Sequence, residues 1–504
     1  MSQKNKVYTI APLGLNGVVV EVEANLSRHL PKTILVGLPD AAVSEARERV
    51  WAAIENSALE YPRQKVVVNL APAQIRKEGG AYDLAIAVSI LLASQQVVLA
   101  GSRQAFIGEL SLTGELKAVP GILVMVSALQ AFGFKEIFVP SSNAAELAVL
   151  SDVTILPSRT LKEVVEHLNA KTFLLPLNSL EFVPKVSKQS VDLADVQGQN
   201  EAKRVLEIAA AGGHNVLLVG SPGAGKTMLA KAFLSILPPL DVKESIEVSK
   251  LYSLAGLLSN EQPLVDSRLM RSPHHSTSVA AMVGGGTWPK PGEISLAHHN
   301  VLFLDEILEF PKTVLEALRQ PLEDQVITVS RAKTSINFPA KFILLATANP
   351  CPCGFLFEPE QKCKCSPLDI KRYQKRISGP LLDRIDLHLQ VEKVKTSDLL
   401  LSNNLAESSE TVACRVARAR ARQRQRLGRV LNGQISNQQV KNLCRLSDSA
   451  QNILSQATER LSLSARAYFK VLKVARTIAD LDNREKIEEA DILEAVRYRA
   501  RIFE

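Results

Sequence analysis

Several groups of residues in this chain have the types and spacing to do chemistry. The first is the run Gly220, Ser221, Pro222, Gly223, Ala224, Gly225, Lys226 and Thr227, which fits G-x-x-x-x-G-K-[ST]. Its glycines let successive backbone N–H groups turn inward around phosphate oxygens, and a following helix adds the positive end of its dipole. In that pattern Lys226 reaches the β- and γ-phosphates of ATP and the Thr227 hydroxyl meets Mg²⁺. The second is Asp305-Glu306, which ends the apolar run 301–304. Asp305 can hold Mg²⁺ through its water shell, and Glu306 can orient and polarise an attacking water. The third is Asn349, at the end of the apolar run "FILLATAN". Strand ends of this kind face the ligand in a nucleotide-binding sheet, so Asn349 is placed to read a γ-phosphate.

Two arginines could complete the set. Arg384 precedes the strand-like "IDLHLQV", and Arg466 sits near a helix start. A guanidinium is always charged and its donor fork matches phosphate oxygens, although spacing alone leaves both as ordinary surface arginines.

Four cysteines, Cys351, Cys353, Cys363 and Cys365, form two C-x-C pairs just after Asn349. Four thiolates suit tetrahedral Zn²⁺, though C-x-C is tighter than the usual spacing. Structural zinc is favoured over disulfides in a reducing compartment, with free thiols the third option. A closed four-cysteine site has no open position for substrate, so it would brace the link between Asn349 and Arg384. The pairs His274/His275 and His298/His299 read as polar packing or nucleic-acid-facing groups rather than ligands.

These groups need a scaffold of several domains, and 504 residues exceed one core. Residues 1–172 alternate apolar runs with helical stretches, as an α/β domain does. Residues 173–190 carry scattered Pro and Ser and read as a linker. A second α/β region covers 191–395, and 396–504 read as helices only. No run of about 20 apolar residues spans a membrane. The first residues lack a signal-peptide pattern, so a cytoplasmic location is expected. The net charge is +8, and residues 412–504 hold 19 Lys/Arg against 10 Asp/Glu. A basic excess at one end suits a polyanionic partner. The arginines 415, 418, 420, 422, 424, 426 and 429 spread around a helix, which fits either a nucleic-acid face or a lid paired with acidic neighbours.

Taken together, "DVQGQNEAKR", "GSPGAGKT", "RSPHHSTSVAAMVGGGTWPKPGEISLAHHNVLFLDE", "ATANPCPCG", "RYQKRISGPLLDRIDLH" and "SARAYFKVLKVARTIADL" resemble the magnesium-chelatase-like AAA+ ATPases of the ComM/YifB family over essentially the whole chain. The resemblance implies a P-loop AAA+ α/β domain with an all-helical C-terminal lid. It implies Lys226 and Thr227 as Walker A, Asp305 and Glu306 as Walker B, and Asn349 as sensor 1. It implies Arg384 as a finger on a neighbour's nucleotide and Arg466 as sensor 2. It further implies ATP and Mg²⁺ at the subunit interfaces of a ring, a hexamer, that drives single-stranded or branched DNA. DNA-branch migration in natural transformation and recombination is the activity expected from it. Candidate DNA contacts are 271–293, with Trp288 and Lys290, and a hairpin with Arg331 and Lys333.

Residues 1–172 resemble the Lon-protease domain, a ribosomal-protein-type fold, in "KEGGAYDLAIAVSILLA" and "GELSLTGELKAVPGI". Where the Lon pattern has its serine and lysine, this chain has Ala81 and Leu123, so the domain is expected to be proteolytically dead. The alternatives are a chelatase-type or protein-remodelling AAA+ subunit, and an active protease.

Overall fold

The computed structural model describes residues 6–499 apart from 39, 78, 100–102, 180–181, 186–190, 260, 287–289, 332–333, 359–360 and 395–406. They form two compact units, residues 1–183 with 242–265, and residues 184–241 with 266–504.

The first unit is built on a seven-stranded mixed sheet. Its strand order is Lys32–Val36, Lys65–Ala71, Asn16–Ser27, Val7–Leu13, Gln104–Phe106, Glu136–Pro140, Thr154–Ser158. Successive side chains of a strand point to opposite faces. Here both faces are apolar: Val7, Val20, Phe106 and Phe138 join one core cluster, and Ile10, Ala105, Ile137 and Val139 the other. Helices Ala41–Asn56 and Asp83–Ala93 cover the first face, and Ile122–Ala131 the second. Ala81 and Leu123 are both buried, and both belong to the second cluster.

Residues 242–265 correct the expected boundaries, because they leave the 191–395 region and complete the first unit. Helix Val242–Ala255 is tied there by Gly121 N–H donating to Ser253 O at 3.0 Å and by Ser253 Oγ donating to Glu146 at 2.7 Å. Periodicity identifies such a helix but not the sheet it packs on.

The second unit carries a five-stranded parallel sheet in the order Met270–Arg271, Val301–Leu304, Ile343–Ala348, Val216–Gly220, Leu387–Val391. The three central strands are buried throughout, which is why their sequences are unbroken apolar runs rather than alternating ones. Because all five run the same way, their C-terminal ends share one edge. Val219 pairs with Ala348, and Leu304 with Ala346, so Gly220, Asp305 and Asn349 arrive together. An antiparallel hairpin, Val326–Arg331 with Thr334–Pro339, stands apart from this sheet.

The expected C-terminal helices are Ser409–Leu427, Asn437–Leu443, Asp448–Arg460, Ala465–Leu481 and Glu489–Arg497. Ser408, Ser436, Ser447 and Ser464 cap the first four through their side chains, satisfying N–H groups that each first turn leaves free. Among the described residues no helix is long and apolar enough to cross a membrane.

Candidate nucleotide site

The Walker A loop joins strand Val216–Gly220 to helix Lys226–Phe233. Gly223 and Gly225 have φ of +79° and +85°, a region that L side chains rarely adopt. A Cβ at either would meet nothing within 4 Å, so the loop faces open space where phosphates would lie. Lys226 is nearly buried. Its Nζ donates to Gly220 O, to Ser221 O at 3.0 Å and to Asn349 Oδ1 at 3.0 Å. Burial lowers the Lys226 pKa, against the pull of Asp305 and Glu306.

Thr227 Oγ1 donates to Asp305 Oδ2 at 3.3 Å, so a hydroxyl and a carboxylate lie side by side, the hard oxygen donors that Mg²⁺ takes. Asn349 Nδ2 donates to Glu306 Oε1 at 3.3 Å. Asn349 therefore bridges Lys226 and Glu306, Thr227 pairs with Asp305, and the Thr347 hydroxyl ties the two sets together. Glu306 itself has a left-handed backbone, φ +51°.

Two contributors escaped the sequence reading. Thr347 donates to Asp305 Oδ1 at 2.6 Å and accepts the Glu306 N–H at 2.9 Å, fixing both acids from the neighbouring strand. Its signal was a hydroxyl inside an otherwise apolar run. Gln199, from "DVQGQ", donates from Nε2 to Ala224 O at 3.3 Å and to Glu392 O at 2.5 Å, strapping the loop to the end of the last strand.

Arg384 and Arg466 are brought together, but not to this set. Both ion-pair with Glu323, Arg384 through Oε2 and Arg466 through Oε1. Arg384 Nη1 also donates to Pro380 O at 2.7 Å. Below Arg384 lies a buried polar cluster. Lys470 Nζ holds Asp386 Oδ1 and the Arg384 carbonyl, the latter at 2.7 Å, and Asn215 N–H donates to Asp386 Oδ2 at 2.9 Å. Burial alone would raise the Asp386 pKa, but Lys470 and His214 hold it well below the carboxylate range. Burial pulls Lys470 down to about 8, with Asp386 opposing.

The four cysteines converge. Their sulfurs lie within 4.8 Å of one another, with Cys351–Cys353 at 3.4 Å, Cys353–Cys363 at 3.5 Å and Cys351–Cys363 at 3.7 Å. A disulfide needs about 2.0 Å, and none is formed. Tetrahedral zinc with Zn–S near 2.3 Å sets sulfurs about 3.8 Å apart, so the spacing fits that ion. Backbone N–H groups of Phe355 and Lys364 hold the Cys353 thiol at about 6, whereas burial pushes Cys351 to about 12. The expected brace between Asn349 and Arg384 needs sharpening, because this loop abuts the Walker A loop itself. Gly354, φ +85°, packs so closely that a Cβ there would lie 2.5 Å from Pro222 Cδ.

The arginines of helix Ser409–Leu427 divide in favour of a lid. Arg415 pairs with Glu207 and Glu407, Arg426 pairs with Asp480 at 2.7 Å, and Arg420 donates to Ala210 O at 2.9 Å. Arg271 is held by Glu293 at 2.6 Å. His274 Nδ1 bonds Ser276 at 2.8 Å, and buried His298 accepts the Lys341 N–H at 3.1 Å. Lys290 lies exposed in a short ribbon with Gly285. Trp288 and Lys333 lie outside the described residues, as does the side chain of Arg331.

Residues 192–399 match the family described as magnesium chelatase, subunit ChlI. Residues 22–143 match subunit ChlI of Mg-chelatase, and 406–499 match the ChlI C-terminal family. The chain is 42% identical to competence protein ComM of Haemophilus influenzae over 98% of its own length and 97% of that protein. It is 43% identical to YifB of Salmonella typhimurium, over 98% and 96% of the two chains. The magnesium-chelatase subunit ChlI of Euglena gracilis is 23% identical, over 40% of this chain and 58% of that one.

Proposed function

Since the chain belongs to the ComM/YifB family of magnesium-chelatase-like AAA+ ATPases, we propose that it forms a ring, a hexamer, in the cytoplasm and couples ATP hydrolysis to movement along single-stranded or branched DNA. The observation that carries the ring is the division of the catalytic groups. Lys226, Thr227, Asp305, Glu306 and Asn349 are joined to one another, whereas Arg384 and Arg466 bond Glu323 and not that set. A subunit arranged this way supplies its arginines to a neighbour's nucleotide, and only a closed, head-to-tail ring satisfies every site.

At each interface Glu306 and Asn349 hold the attacking water. The water oxygen bonds to the γ-phosphorus as the bond to the β–γ bridging oxygen breaks. Lys226 and the neighbour's Arg384 and Arg466 stabilise the charge on the phosphate oxygens. Mg²⁺, when bound, supplies further charge there, and Thr227 and Asp305 are the residues to hold it. Zinc on Cys351, Cys353, Cys363 and Cys365 would replace thiol protons with one cation and stiffen the loop behind Pro222.

The DNA reading is supported by three observations. The relative sharing 42% identity is named a competence protein. The hairpin of Val326–Arg331 with Thr334–Pro339 buries Ile327, Val329, Ile336 and Phe338 on one face and turns a polar face outward, with Thr328 bonded to Asn337 and Ser330 to Ser335 across it. Net charge is +8. The Lon-like domain serves as a scaffold, because Ala81 and Leu123 share an apolar cluster and offer neither nucleophile nor base.

ATP turnover measured with and without single-stranded and forked DNA at low salt tests the motor. DNA should stimulate turnover and bind with a steep salt dependence. An unstimulated ATPase whose rate rises with an unfolded protein or a porphyrin–Mg²⁺ pair would instead favour the chelatase or remodelling reading, which the three ChlI family matches support.

A further inference from the structure

Glu323 belongs to none of the recognised motifs, yet it is the carboxylate that both arginines choose. Each oxygen takes a different guanidinium. Slight burial would raise its pKa, but Arg384 and Arg466 together hold it down. Two cations on one anion leave the cluster with an excess positive charge. Arg384 also keeps one buried donor, Nε, without a partner. Such a cluster is half-neutralised and ready for a second, stronger anion.

Glu323 lies on helix Arg319–Asp324, which is clamped to the arginine-bearing segment at two points. Arg319 Nη2 donates to Ser378 Oγ at 3.0 Å, and Ser378 begins the short helix that leads to Arg384. Glu323 supplies the other clamp. The helix then ends at Gln325, left-handed at φ +57°, whose carbonyl accepts the Ala340 N–H at 2.7 Å. The hairpin's first pair, Val326 with Pro339, follows at once. Glu323 is thus three residues from the base of the hairpin 326–339.

We propose that Glu323 is a positioning residue. It stands in for the γ-phosphate of the adjoining subunit's ATP, and exchange of that phosphate for Glu323 on Arg384 and Arg466 loosens the hairpin base. This rests on the motor reading, to which it adds the route from nucleotide to hairpin. Without the exchange the two arginines stay aimed at their own carboxylate, and the hairpin stays tied to the segment that carries Arg384.

The test is steady-state ATP turnover of the full chain as Glu323→Gln, Glu323→Asp, Arg384→Ala and the Glu323→Gln/Arg384→Ala double variant, each with and without forked DNA. Freeing the arginines removes a partly exposed pair of charge-assisted bonds, so Glu323→Gln should raise DNA-free turnover about three- to tenfold. Its DNA stimulation should fall toward unity, and Glu323→Asp, which keeps the charge, should lie between it and wild type. In the Arg384→Ala background the Glu323→Gln gain should vanish, the non-additivity of groups that act through each other. DNA-free turnover unchanged or lowered by Glu323→Gln, or an equal gain in the Arg384→Ala background, overturns the proposal. A wild-type chain that does not respond to DNA sinks the motor reading separately, and the DNA-free arm still decides the role of Glu323.

Discussion

The buried pair beneath Arg384 gives the sharpest quantitative expectation. Asp386 and Lys470 are 8% and 14% exposed at their side chains, and the carboxylate also takes the Asn215 N–H. Asp386→Asn keeps the shape and an acceptor for Asn215 but leaves Lys470 as a buried, unpaired cation. Removing one partner of such a pair costs about 3–5 kcal/mol. Strand Leu387–Val391 and helix Ala465–Leu481 are joined through this pair, so the loss should appear there as local opening. Hydrogen exchange of peptides covering those two elements should speed up roughly 10²–10⁴-fold, read in the regime where exchange follows the opening equilibrium. Asp386→Asn/Lys470→Met removes both charges and should recover most of the protection, because a neutral buried pair carries no desolvation debt. The Lys470 Nζ also holds the Arg384 carbonyl, so kcat should fall in Asp386→Asn while ATP affinity at Lys226 is retained. The pair also fixes a pH dependence. Asp386 titrates below its ordinary value, so its stabilisation is present above about pH 4 and lost in acid. Lys470 titrates at about 8 rather than 10.5, so between those values the unfolded chain binds more protons and stability rises with pH. Less than a tenfold change in exchange for Asp386→Asn, or a double variant no better protected than the single, would refute this account.

Other expectations follow from the same geometry. Glu306→Gln should keep ATP binding and cut turnover by about 10²–10⁴, the range for losing a positioned base; normal hydrolysis would remove Glu306 from the site. Gly354→Ala forces a side chain into a left-handed position and against Pro222. The strain of about 1–2 kcal/mol should weaken ATP binding roughly tenfold, and calorimetry showing an unchanged Kd would separate the cysteine loop from the Walker A loop. Elemental analysis should find one zinc per chain, lost in Cys363→Ser together with ATP affinity. A metal-free chain of full activity would exclude that brace.

Much of the proposed nucleotide site is legible in sequence because its physics is local. A phosphate loop needs glycines at fixed spacing and a lysine on the next helix turn, and a buried parallel strand is a plain apolar run ending at the catalytic edge. The groups proposed as Walker A, Asp305-Glu306 and Asn349 can therefore be picked out one by one, each from its own neighbours. Thr347 and Gln199 were missed because a single hydroxyl or amide carries no pattern, and its value depends on which strand lies beside it.

What the tertiary structure alone decided is partnership. The sequence could give Arg384 and Arg466 a type and a context, but not the shared carboxylate Glu323, which lies far from each along the chain. It could count the arginines of 412–429 but not show that Glu207, Glu407 and Asp480 already engage two of them, Arg415 and Arg426. It put 242–265 inside the region 191–395 and gave no sign that they belong to the first unit. Four cysteines announced a cluster, while its contact with Pro222 emerged only when Gly354 folded against the loop. Spacing along a chain determines which groups one turn or strand end can gather. Long-range burial determines which charges must find one another, because each desolvated charge takes the nearest partner the fold supplies.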